Sequence, residues 1–388
     1  MATISLFLSG DVMTGRGVDQ LFATSSAPTL YEGSIGSALD YVKLAERKTG
    51  PISRPVNHAY IWGDALDELA LRRPDVRIIN LGTTITTSED MWPGRRAHHR
   101  MHPANAACLR TAGVDCAVLA NNHVLDWGYA GLKDTLAALG AAGIGTAGAG
   151  RDAREAARPA ILPLPNAGRL LVFAFAMEHA GTPHQWMATS TRAGVNLLSD
   201  FSGASVDRIA RQIAKFKRAG DLVVASLHWG AEWGYDLDPE QQTFAHQLID
   251  KAGVDVIHGH ASHHAKGIEL HAGKAILYGC GDFVNDYEGI GGQEAFGAHL
   301  ALMYFLKLDT AHGRLTDLLL VPLRRRHFQL RHAHEIDCCW LTEVLNREDL
   351  RFGTCLTRLN RDGFRVLTHK PALTGQVGLP DATQRGER

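Results

Sequence analysis

Apolar residues along the chain follow two periods. Short runs rich in Val, Ile, Leu and Phe read as buried strands. Between them, apolar residues recur three or four apart, the spacing of a helix with one buried face. The predicted strands are "TISLFLSG" before Asp11, "DVRIIN" before Leu81, "DCAVLA" before Asn121 and "RLLVFAFA" before Met177. They continue with "DLVVASLHWG", "VDVIHGH", "KAILYGCGDF", "HLALMYFLKLD" and "DLLLVPLRRR". Helices are predicted over Trp62–Leu71, Pro103–Ala112, Ala130–Ala142, Val206–Ala219 and Pro239–Ala252, several opening on Pro or followed by Gly. Alternation of strand and helix predicts α/β layering. The late strands follow one another directly, which predicts antiparallel additions to a mixed sheet. A helical region over Leu341–Leu359 is expected to close the domain. Residues 1–373 then form a single domain, and 374–388, polar with Gly and Pro, a flexible C-terminal tail.

Composition adds exclusions. The chain has 388 residues, 45% of them hydrophobic and 21% charged, with a formal net charge of −1. Such a balance gives no global field toward nucleic acid or an anionic membrane, so neither is an expected partner. The opening "MATISLFLSGD" lacks a basic start and is too short for a signal peptide, and no apolar run approaches the ~20 residues of a membrane span. Six cysteines without a CxxC pair read as reduced thiols, which points to the cytoplasm. The oligomeric state is left open.

Histidine, at 20 residues, is the compositional outlier, and many histidines follow predicted strands. "LSGDVM" delivers Asp11; "LANNHVLDWG" delivers Asn121, Asn122, His123 and Asp126. "SLHWGAEWG" delivers His228 and Glu232, and "IHGHASHH" delivers His258, His260, His263 and His264. Singly, each reads as a cap or a hydrogen-bonded structural residue. Together they share one topological position, the carboxyl ends of strands, where open α/β sheets place ligands. "RIINLGTTITTSED" stands apart, because its strand end delivers Gly82, which carries no chemistry. Walker A, GxGxxG, GxSxG and HExxH motifs are absent, and "GTAGAGRDA" (Gly145–Ala153) reads as a loop.

The order Asp…Asn-His…His…Gly-His-x-x-His resembles the calcineurin-like metallophosphoesterase superfamily, and more closely its CapA-type branch, named for poly-γ-glutamate capsule biosynthesis. The resemblance runs through "GDVM", "ANNHVLDWGYAGLKDTLAAL", "LHWGAEWG", "GHASHHAKGIE" and "ILYGCGDFVNDY". It implies a calcineurin-like four-layer α-β-β-α sandwich with two mixed β-sheets. It also implies two divalent metals, with Asp11, Asn122, His123, His228 and His263 at ligand positions. Two positions depart from the pattern. Gly82 stands where CapA-type sequences write Glu, and Ala261 stands where an imidazole is usual. One carboxylate, Asp11, would then neutralise two cations, so the sequence predicts a site without metal or other cofactor.

A metal-free cleft with a carboxylate, imidazoles and amides is equipped for general acid–base chemistry. Asp11 with one of His123, His228, His260 or His263 is the expected proton-transfer pair, with Asn122, Asn121 or backbone N–H groups as the expected donors to a developing enolate. The chain is similar to the peptide epimerases of lasso-peptide biosynthesis, which implies inversion of Cα at a C-terminal residue, Trp by resemblance, of a precursor peptide. A basic loop carrying Arg95, Arg96 and Arg100 is expected to clamp the peptide carboxylate. Trp127, Trp229 and Trp233, with Glu232, are expected to line its pocket, with at least one of the tryptophans packing in the core instead. The alternative is a metal-dependent hydrolase of a phosphoester or of a γ-glutamyl or other amide bond, using Mn, Fe or Zn.

Overall fold

The computed structural model describes residues 2–33, 35–165, 168–359 and 363–368. The tail predicted over 374–388 lies outside the described residues. Two mixed sheets dominate the fold. The first runs Thr354–Arg358, Phe364–Thr368, Leu315–Arg326, Leu300–Asp309, Thr3–Val12, Val76–Leu81, Cys116–Val118 and Gly145–Ala147. Asp282–Val284 also pairs with the Thr3–Val12 strand, and Gln329–His332 with Leu315–Arg326. The second runs Leu197–Leu198, Arg169–Met177, Leu222–His228, Val256–His260, Lys274–Leu277 and Ile268–His271, with Ala160–Pro163 beside Arg169–Met177.

Period-2 alternation separates the layers. On the Arg169–Met177 strand, Leu171, Phe173, Phe175 and Met177 pack with Val206, Ile209, Ile213, Phe244 and Leu248 of the helices Gly203–Ala214 and Pro239–Asp250. Leu170, Val172, Ala174 and Ala176 face the other way and join the large core shared with Leu6, Leu8 and Ile78 of the first sheet. A hydrogen bond from His258 Nε2 to Ser9 O, 2.7 Å, spans the gap between sheets. The helices Ala65–Arg72, Gly128–Ala141 and Glu335–Asp349 pack against the first sheet. The four-layer α-β-β-α arrangement is therefore present. Phe173→Ala should cost about 3–5 kcal/mol, because it opens a cavity between sheet and helices; equilibrium denaturation measures this, and a loss under about 1 kcal/mol would contradict that packing.

Late strands pair antiparallel as expected, Leu300–Asp309 against Leu315–Arg326, and a further antiparallel pair, Thr354–Arg358 with Phe364–Thr368, was not predicted. The helix expected over Leu341–Leu359 is displaced. It spans Glu335–Asp349, opened by His334, whose N–H donates to Asp337 Oδ2 at 3.1 Å. Gly353, at φ 66°, then turns the chain into a strand, although the apolar spacing continues. A helix over Ala38–Thr49 was not predicted, although Ala38, Tyr41, Val42 and Ala45 carry its buried stripe. The glycine-rich stretch read as a loop begins with an edge strand, Gly145–Ala147.

Candidate functional site

The strands carrying Asp11, Asn80 and Val118 run parallel, as do those ending in Met177, His228 and His260. Parallel pairing brings their carboxyl ends to one edge of each sheet. Between the sheets at that edge lies a second carboxylate that sequence reasoning missed. Asp282 is the direct register partner of Asp11, and both are buried. Glycine makes the approach possible: a Cβ on Gly10 would lie 1.7 Å from Gly281 O, the acceptor of Asp11 N–H.

Two buried carboxylates at one register level repel. Burial, then the charge of Asp282, lifts Asp11 to about 7, against the opposing pull of Asn80 and His263. Asn80 Nδ2 donates to Asp11 Oδ1 at 2.6 Å, and Asn121 Nδ2 donates to Asn80 Oδ1 at 2.9 Å. His263 Nδ1 donates to Asp282 at 2.9 and 3.1 Å, while Asn285 Nδ2 donates to Asp282 Oδ2 at 2.8 Å. Burial alone would lower His263, but the charge and hydrogen bond of Asp282, with Asp11 and Glu232, lift it to about 9. The pocket draws positive charge.

His123 repeats the arrangement, with Nδ1 2.8 Å from Asp126 Oδ2. Each of these imidazoles is oriented by a carboxylate on Nδ1, which leaves Nε2 for a ligand or a proton. His228 is held differently, in a buried relay. Its Nε2 meets Ala180 O at 3.1 Å and its Nδ1 meets His260 Nδ1 at 3.0 Å. Ser226 Oγ joins His260 Nε2 at 2.9 Å to His258 Nδ1 at 3.1 Å, and His258 Nε2 donates to Ser9 O. These five contacts need five protons, but three neutral imidazoles and one hydroxyl supply four. Burial opposes a further proton, lowering His228 to about 3, His258 to about 4 and His260 well below its usual value. A cation in place of Ala180 O at His228 would leave four protons for four hydrogen bonds.

The predicted residues separate into groups. Asp11, His123 and His263 gather at the strand ends, and Asn122 and Glu232 lie close by: Asn122 Nδ2 would be 3.4 Å and Glu232 Oε1 4.0 Å from a Cβ on Gly181. His260 is fully buried behind His228 and orients it, so its expected direct part in proton transfer is corrected. Arg95 donates to the carbonyls of Gly181 and Asn122 and pairs with Asp126, so it pins the Asn122 loop. Arg100 is buried, donating to Ser88 O and Ala27 O and lying 3.7 Å over the Trp127 ring. Trp127 and Trp229 are each 1% exposed, and Trp229 Nε1 donates to Tyr278 O. The clamp and pocket roles expected of Arg100, Trp127 and Trp229 are thus corrected by their burial. Arg96 is exposed. Trp233 stands at the site, its ring centroid 5.1 Å from that of His263.

A Cβ on Gly82 would lie 3.0 Å from Met13 Cγ and 4.0 Å from His123 Cδ2, so the glycine does border the site. The acid missing from its strand is matched by Asp282 on another. His99 was also missed as a neighbour: its ring lies 4.5 Å from that of His123, and among the described residues neither of its ring nitrogens has a hydrogen-bond partner.

Residues 5–287 match the family model described as "Bacterial capsule synthesis protein PGA_cap". The chain belongs to the PGA_cap family. Two relatives, each described as "Probable polyglutamine synthesis accessory protein", come from Mycobacterium tuberculosis strains; each is 44% identical over 90% of this chain and 92% of its own length. The PGA biosynthesis protein CapA of Bacillus subtilis is 26% identical over 73% of this chain and 63% of its own. A solved phosphatase from Mycoplasma pneumoniae aligns at a TM-score of 0.42 with 11% identity, over 84% of this chain and 94% of that one.

PGA_cap membership brings with it the divalent-metal pattern of the resemblance, and the expectation of a site without metal is overturned. That expectation rested on a lone carboxylate, whereas Asp282 supplies a second. The chain also carries a separate group, His246, Glu269 and His271, with ligand atoms all within 4.8 Å of one another. Among the described residues no other three His, Cys, Asp or Glu gather so tightly, so the strand-end donors must draw together to share an ion. Their fit rests on charge and proton count: two buried carboxylates, two carboxylate-oriented imidazoles, and a relay one proton short.

Proposed function

We propose that this PGA_cap protein is a divalent-cation-dependent hydrolase acting on the amide backbone of a glutamyl polymer. The observation that carries the reading is the buried Asp11–Asp282 pair, with His263 hydrogen-bonded to Asp282. The names of the relatives, polyglutamine synthesis and PGA biosynthesis, support the polymer class. Beside His263 a cleft of about 580 Å³ is lined by Trp233, Tyr287, Lys48, His299 and Arg324. Its acids are Glu288, which accepts from Thr49 Oγ1 at 2.7 Å and from Phe328 N–H, and Glu294, which accepts from Gly292 N–H. A cationic rim suits a chain of carboxylates.

Asp11, Asp282, Asn122, His123 and His228 would hold the cation. When bound, it would polarise the scissile carbonyl and supply a water acidic enough to attack at neutral pH. Asp126 fixes the tautomer of His123, and His260 with Ser226 steadies His228. His263, fixed on Nδ1 by Asp282 and reaching the cleft, is placed to pass a proton to the leaving amine. Trp233 and Tyr287 flank it and limit water.

The test incubates purified chain with poly-γ-glutamate and polyglutamine oligomers, with Mn²⁺ or Zn²⁺ and with chelator. Metal-dependent shortening of the polymer is expected; no new amine ends under any metal would overturn the reading. Lys48→Glu should raise KM about tenfold with kcat little changed, since it reverses one rim charge. An unchanged KM would remove the rim from substrate binding.

A second reading, inversion of a peptide Cα such as that of a C-terminal Trp, is favoured by the contiguity of Asp11, lifted to about 7, and His263, lifted to about 9, on either side of Asp282. Deuterium at Cα after incubation of a precursor peptide in heavy water, without chain cleavage, would select it.

A further inference from the structure

We infer that His246, Glu269 and His271 form a second metal site, selective for a transition metal such as Zn²⁺, that staples a helix to the edge of the second sheet. His246 lies on the helix Pro239–Asp250, and Glu269 and His271 on the edge strand Ile268–His271. His246 Nε2 is 2.7 Å from Glu269 Oε1. The other carboxylate oxygen, Oε2, accepts from Tyr278 OH at 2.7 Å and Gln242 Nε2 at 3.3 Å, so Oε1 is aimed at the cluster. The two imidazoles stack, with centroids 3.9 Å apart and planes within 7°. His271 Nε2 lies 2.9 Å from both oxygens of Asp250, one helical turn beyond His246.

Each ring is held by its own carboxylate, His246 by Glu269 and His271 by Asp250, and the two rings stack face to face. One nitrogen of each ring and a Glu269 oxygen lie within 4.8 Å of one another, a convergence that two separate ion pairs do not require. Asp250 on His271 is the outer carboxylate that commonly fixes the tautomer of a ligating histidine. Two nitrogens and a carboxylate oxygen match zinc chemistry, whereas Ca²⁺ and Mg²⁺ prefer oxygen alone. Both His246 and His271 are partly exposed, which gives an ion and a water a path in.

Strand register separates this site from the catalytic one. His271 pairs with Lys274, and Ala275 pairs with Val256, so His271 lies level with the start of the strand that ends in His260. Five residues of strand put about 16 Å between the two levels. The helix that His246 would anchor follows the loop carrying Glu232 and Trp233. A metal here would fasten the edge strand of the second sheet and the base of that loop together.

The test uses the full chain, freed of metal by chelator. In an Asp11→Asn/His123→Ala background, which weakens the strand-end site, calorimetric titration with Zn²⁺ should show one remaining ion per chain and a rise in Tm. Adding His246→Ala or His271→Gln should weaken that binding at least 100-fold and abolish the rise. In the otherwise wild-type chain, either change should leave turnover intact. Circular dichroism without metal checks that each variant folds. Zinc binding unaltered by both substitutions, or none in the parent background, would overturn the site. Neither outcome bears on polymer hydrolysis, which is read separately.

Discussion

Asp282→Asn will lower turnover by a factor on the order of 10³–10⁴, the scale seen when an amide replaces a carboxylate that orients a catalytic histidine. Asp282 pairs with Asp11 in strand register and accepts from His263 Nδ1 and Asn285 Nδ2. An amide of the same shape keeps the volume but removes the charge. It can also donate to His263 Nδ1, and it removes the charge that lifts His263 to about 9, so the imidazolium that would hand a proton to the leaving amine is lost. Asp11 loses the neighbour that raises it, and the pocket loses half of its anionic pair. Steady-state kinetics and metal titration should fall together, with the fold intact by circular dichroism. Turnover within tenfold of wild type would make Asp282 a packing residue.

Much of the site was legible because strand ends announce themselves. Asp11, His123 and His228 each follow an apolar run, and parallel pairing carries them to one edge. Asp282 follows such a run too, in "ILYGCGDF", but its meaning depends on a strand pairing across 271 positions of chain. Only the close approach of Gly10 to Gly281 reveals that, and a lone Gly-Asp in sequence does not. Gly10-Asp11 and Gly281-Asp282 each end a buried run, a likeness that the sequence does carry. The inference drawn from Gly82 failed for the same reason: a carboxylate absent from one strand can be matched from another.

Residues outside the strand ends were less legible. Trp127, Trp229 and Arg100 sit beside motif residues in sequence, yet packing sends them inward: Trp229 stacks with Tyr278, and Arg100 with Trp127. Nothing local distinguishes a tryptophan lining a pocket from one filling a core. His246, Glu269 and His271 escaped notice because helix and strand meet there only in the folded chain. The misplaced end of the last helix has a local cause, since Gly353 breaks a pattern that apolar spacing alone would continue.

Chelation will abolish turnover of the His246→Ala variant, and Mn²⁺ or Zn²⁺ will restore it. That variant is the right protein because the second metal site then plays no part in the readout. Without a cation, the strand-end pocket retains two buried acids at one register level and a relay short of one proton. Asp11 then keeps a proton to near pH 7, which blocks a lone pair needed for ligation. Metal binding must expel it, so affinity should rise from pH 6 to pH 8. Stability follows by mass action: a cation at about 1,000 times its Kd adds about 4 kcal/mol, or some 2–4 °C of Tm per kcal/mol for a domain of about 150–250 residues and less for a larger one. The thermal shift should therefore be several degrees at pH 8 and smaller at pH 6. Full activity in chelator, with no shift at either pH, would mean that Asp11 and the imidazoles work through protons alone and would return the site to the acid–base reading.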